Sequence, residues 1–136
     1  MKKQTNPKLI SKKLRHAAAL HDQGDLVAAK EAYLEILTLT PNQFKVLYLL
    51  GLLCYQQGDY TTAKERLQQS LELNSNQADS YNILGIIYAI QGDSEKALQS
   101  FKQAIQVNPN CVDAYNNLGK YYGEKQEWET AINWYQ

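Results

Sequence analysis

The residues able to do chemistry are few and badly placed for it. His16 and His21 are the two histidines, and at five residues apart they diverge on a helix, so they do not form a metal pair. Cys54 and Cys111 lie 57 residues apart with no Cys-x-x-Cys pattern, which suits reduced thiols used as small packing residues. Acidic pairs such as Glu127 and Glu129 read as solvated helix starts. No phosphate-binding glycine loop and no nucleophile elbow occurs. No catalytic residue, metal or cofactor is therefore expected, and the glycines are used for packing and turns.

Charge points the same way. Lys and Arg number 14, as do Asp and Glu, so no net field draws in nucleic acid. Lys2, Lys3, Lys8, Lys12, Lys13 and Arg15 all precede the first acid, Asp22, which leaves residues 1 to 21 at a formal +6 and residues 22 to 136 at −6. That basic start reads as a solvated tail and first helix, with an acidic partner or anionic surface as the alternative. No apolar run follows Met1 and no stretch is long enough to span a membrane, so a cytoplasmic protein is expected.

The elements that position these residues are helices in pairs. Between Ala78 and Cys111, Tyr81, Leu84, Gly85 and Tyr88 recur at i, i+3, i+4 and i+7, one face of a helix running to about Gln91. Gly92 can take the left-handed conformation that closes that helix, and Asp93 or Ser94 can cap the next. The second helix turns Ala97, Leu98, Phe101, Ala104 and Ile105 inward and is stopped by Asn108 and Pro109.

One such pair cannot bury its apolar face, and the chain supplies neighbours every 34 residues. The small residue where two helices approach is Ala17, Gly51, Gly85 and Gly119. The turn is Gly24 and Asp25, then Gly58 and Asp59, then Gly92 and Asp93, then Gln126 and Glu127, where the glycine is lost. The packed alanine is Ala29, Ala63, Ala97 and Ala131.

Tyr81, Leu84, Gly85, Tyr88, Ala97, Phe101, Ala104 and Pro109 match the places of the tetratricopeptide repeat motif, and from about residue 10 onward the chain resembles that family. The resemblance implies an all-α fold, a right-handed α–α superhelix (solenoid) of antiparallel helix pairs. The expected boundaries are 1–9 for a basic tail and the start of the first helix, 10–43, 44–77 and 78–111 for three full repeats, and 112–136 for a truncated fourth. Residues 1 to 6 read as disordered, with Asn6 and Pro7 opening the first helix. His16 stands where the family usually has leucine, Ser70 breaks the pattern, and Ser75 replaces the usual proline. A full fourth copy would need nine more residues and a cap, so the chain reads as a fragment of a longer array or as one whose end another molecule covers.

In this family the first helices line a concave groove. The first helix of the third repeat carries a second apolar stripe, Ile83, Ile86 and Ile90, about 200° around from Tyr81. The second repeat places Lys45, Leu49, Leu52 and Gln56 there, and the fourth places Asp113, Asn117, Lys120 and Glu124. Tyr48, Tyr55, Asn82 and Asn116 border the stripe. The expected act is therefore binding of an apolar or amphipathic protein segment by Leu49, Leu52, Tyr55, Asn82, Ile83, Ile86, Ile90, Asn116, Asn117 and Lys120. Part of the stripe packing as core is the competing reading.

Co-chaperones of the family hold a terminal carboxylate with lysine, asparagine and arginine, and the matching places here, Leu14, Ala18, Leu49, Asp79 and Ile83, are unsuited to it. Two alternatives stay open. One is a homo-oligomer through an uncapped fourth repeat burying Trp128, Ile132 and Tyr135. The other is the recognition region of a larger enzyme such as a glycosyltransferase.

Overall fold

A computed structural model describes the backbone of residues 6–124 and the side chains of residues 6–121. Among the described residues all regular structure is helical: α1 Pro7–Asp22, α2 Leu26–Leu39, α3 Phe44–Gln56, α4 Tyr60–Leu73, α5 Ala78–Ile90, α6 Ser94–Val107 and α7 Val112–Glu124. The expectations for Gln126, Trp128, Ala131, Ile132 and Tyr135 lie outside the described residues, as do the side chains of Tyr122 and Glu124.

Local chemistry sets the helix ends. Asn6 accepts a hydrogen bond from the Lys8 amide in front of Pro7, which needs no donor at the first helical position. Gly24, Gly58 and Gly92 take φ of +82°, +80° and +81°, closing α1, α3 and α5 in the left-handed region that glycine enters without cost. The aspartate that follows each glycine caps the next helix: Asp25, Asp59 and Asp93 accept from the amides of Ala28, Thr62 and Lys96. The glycine-aspartate pair thus ends one helix and begins another within three residues, which folds the two back on each other. Asp59→Ala should cost about 1 kcal/mol, measurable by urea unfolding, because the Thr62 amide loses its acceptor.

The chain forms two compact units, Met1–Ser75 and Asn76–Gln136. In the first, α1 packs on α2, α2 on α3 and α3 on α4. In the second, α5 packs on α6, α6 on α7, and α5 also meets α7.

The residues that recur at 34 are where the helices touch. Ala17, Ala29, Ala63 and Ala97 are fully buried. A Cβ on Gly51 would stand 2.8 Å from Leu67 Cγ, and one on Gly85 2.5 Å from Phe101 Cε1, so both glycines allow the partner helix to approach. The irregular Ser70 is fully buried, and its hydroxyl donates to the Phe44 carbonyl at 2.6 Å, tying α4 to the start of α3.

Candidate functional site

In the second unit the stripe residues separate by depth. Ile83 is 7% exposed and Asn82 8%, so both are buried and do not offer a contact face. Ile86 is half-buried and packs on the core of Ala97, Phe101 and Leu118. Ile90, at 53%, stands open to solvent. Ile86, Ala89 and Ile90 of α5, Phe101 of α6, and Asn117, Lys120 and Tyr121 of α7 line a cleft of about 240 Å³. The cleft is apolar on its α5 side and carries the Lys120 ammonium on its α7 rim.

A part-buried amide pair fixes that geometry. Asn117 Nδ2 donates to Asn82 Oδ1 at 2.8 Å, holding α7 against α5. The pair spends one donor of Asn117 and leaves its carbonyl oxygen for a ligand or water. Asn82, expected as a border contact, instead supports Asn117 from below. Asn116 is exposed beside it.

In the first unit the expected residues lie on α3. Leu49 and Leu52 are half-buried, and Tyr55 leans on Tyr60 of α4 with ring centroids 6.0 Å apart.

Sequence reasoning missed a polar relay in the same unit. His21 Nε2 lies 2.6 Å from Gln56 Oε1 and His21 Nδ1 2.9 Å from the Tyr33 hydroxyl, so one imidazole joins α1, α2 and α3. The Gln56 oxygen only accepts, so Nε2 donates to it, while Nδ1 and the Tyr33 hydroxyl share one proton between them. Tyr33 is fully buried, and burial, with the charge of Asp22 as a smaller cause, pushes its phenol up to about 12 from 10.0.

The folded pKa lies above the unfolded one, so the stabilisation from the neutral phenol is complete below pH 10 and is lost as pH rises towards about 12. Tyr33→Phe should cost about 1 kcal/mol at neutral pH by leaving Nδ1 unpaired. Urea unfolding should show the gap between the variant and the parent narrowing over that alkaline range.

Helix pairs repeating at one interval, with exposed apolar residues beside amides and a cation, define a helical-repeat binding scaffold. Among the described residues no group of three or more histidines, cysteines and acids is placed to hold a metal ion. No helix among them is long and apolar enough to cross a membrane.

The chain belongs to the tetratricopeptide repeat family. One model of that repeat matches residues 14–63 and 91–136, and a second matches residues 45–110. A search of the curated proteins found no match. Among solved structures, a crystal structure of MamA is similar with a TM-score of 0.85 at 25% identity, covering 95% of this chain and 75% of that one. MamA of Desulfovibrio magneticus matches with a TM-score of 0.84 at 23% identity over 93% of this chain and 71% of that chain, a likeness of fold. An O-GlcNAc transferase of Thermobaculum terrenum matches with a TM-score of 0.80 at 26% identity, over 88% of this chain but only 23% of that one.

Proposed function

We propose that this protein works without catalysis, by binding a segment of another protein, and that the α5–α7 cleft receives an apolar side chain of that segment. The observation that supports this most is Ile90, 53% exposed beside half-buried Ile86 at the mouth of the cleft, where an apolar group gains from leaving water. Lys120 on the rim favours a carboxylate near that anchor, and Asn117 offers an amide to the ligand backbone. Leu49, Leu52 and Tyr55 on α3 give the first unit its own apolar contact surface for the same class of partner. The two free cysteines fit a reducing, cytoplasmic setting.

The test is selection of binders from a displayed peptide library against the whole chain. The selected peptides should share an apolar anchor, and Ile90→Asp should weaken them by about tenfold or more with unchanged helicity. Equal binding by Ile90→Asp and by Ile86→Asp would place the partner elsewhere. Unfolding of the Ile86→Asp variant with normal binding by Ile90→Asp would make the stripe core.

The match to a transferase several times longer supports a second reading, in which the same cleft selects protein substrates for an enzyme of which this chain is one region. A third, self-association through Trp128, Ile132 and Tyr135, is tested by light scattering over a concentration series. A monomer at high concentration would remove it.

A further inference from the structure

The first unit holds a second depression, which shares no lining residue with the Leu49, Leu52 and Tyr55 surface, between the C-terminal halves of α2 and α4. Its volume is about 350 Å³, and Leu37 and Pro41 form one wall, Leu47 the floor, and Arg66, Gln69 and Leu73 the other wall. The three α4 residues fall at i, i+3 and i+7, one face of the helix. Leu47 is buried, while Pro41 and Gln69 are exposed and Leu73 is 46% exposed, so the depression opens to solvent with apolar surface on both sides.

Arg66 is the anomaly. Its Nε is buried with no hydrogen-bond partner, and its Nη1 donates only a long bond of 3.3 Å to Gln69 Oε1, a residue of its own helix. No carboxylate pairs with it among the described residues, although Glu72 lines the same depression. A guanidinium is a planar fork whose Nε and Nη donors match the two oxygens of a carboxylate, and a buried donor left without an acceptor is unfavourable. A carboxylate that turns the fork towards itself relieves that donor and replaces the weak bond to Gln69.

The surroundings narrow the ligand further. The leucine and proline walls call for an apolar group next to the acid. Glu72 at the rim repels additional acids, so a strongly acidic tract is disfavoured.

We infer that this depression is a second binding site, which takes an acidic side chain, with a leucine-sized apolar neighbour one helical turn away, from an amphipathic helix of a partner protein. Arg66 receives the carboxylate, Leu37 and Leu73 receive the apolar side chain, and Glu72 limits the ligand to a single acid.

The test uses the full chain and three labelled helical peptides, followed by fluorescence anisotropy. The first is acetylated and amidated with one leucine and, a turn away, one glutamate. The second has glutamine in place of glutamate. The third is the glutamine peptide with a free terminal carboxylate.

The glutamate peptide should bind about tenfold tighter than the glutamine peptide. Arg66→Gln should erase that difference, the exposed-site variant Leu73→Ala should weaken both, and Glu72→Gln should tighten the glutamate peptide. Ile90→Asp, in the other unit, should change none of this, which separates the result from that of the α5–α7 cleft. Equal binding of the glutamate and glutamine peptides, a preference that survives Arg66→Gln, or a free-acid peptide that matches the glutamate one overturns the inference. Should Arg66→Gln lose helicity, the exposed pair Glu72→Gln and Leu73→Ala decides by the same peptides, no effect from either counting against it.

Discussion

Phe101→Ala is expected to lower stability by about 3–5 kcal/mol, the cost of deleting a fully packed aromatic ring. Phe101 is 2% exposed and forms a cluster with Ala97 and Leu118, against which Ile86, Tyr88, Ala89, Leu98 and Ile105 pack. The ring therefore joins α5, α6 and α7. It also lines the α5–α7 cleft, so its removal should enlarge the cleft from below. Urea unfolding followed by circular dichroism measures the loss. A cost under about 1 kcal/mol would mean that the three helices do not share this core.

Gly85→Ala is the second large effect, and it depends on the first. The added Cβ would stand 2.5, 2.6 and 2.9 Å from three atoms of the Phe101 ring, which is packed in one cluster with Ala97 and Leu118 and has little room to retreat. Overpacking of this kind costs about 1–3 kcal/mol and outweighs the gain of up to about 1 kcal/mol that alanine brings to a helix interior. In a Phe101→Ala background the ring is absent, so Gly85→Ala should become neutral or mildly stabilising. A double-mutant cycle reads this coupling directly, and additive costs would show that Gly85 is required for some other reason. Gly51→Ala meets the branched side chain of Leu67 at 2.8 Å rather than a flat ring, and the more adaptable leucine should make the cost smaller there.

These two residues also show why so much of the fold was legible. A glycine forced by close approach, a glycine forced by a positive φ and an aspartate capping the next helix are demands made by a few neighbouring atoms, and each leaves its mark at a fixed place in the 34-residue step. The helix bounds at Gly24, Gly58 and Gly92 follow from that. Ser70 was visible only as a break in the pattern, because its meaning is a hydrogen bond to Phe44, 26 residues away.

The site was legible by type but not by depth. Ile83, Ile86 and Ile90 share one stripe by helical period, yet their exposure runs from 7% through half-buried to 53%. The period of one helix carries no record of how neighbouring chain covers it. Asn82 was misplaced for a related reason, since its environment is set by Asn117 on another helix. Arg66 gave no signal at all, because an arginine on a solvated helix face looks the same whether or not its donors find partners.

Two polar pairs between first helices among the described residues, His21 with Gln56 and Asn82 with Asn117, join residues 35 positions apart, one more than the repeat. Each is a private match rather than a property of the repeating pattern. Removing residues 44–77 would keep every turn and packing glycine in phase, yet it would set Ile90 in the place of Gln56 opposite His21. The repeats are thus alike in shape but not exchangeable, and their order along the chain is written in partners that shuffling or recombination would divorce.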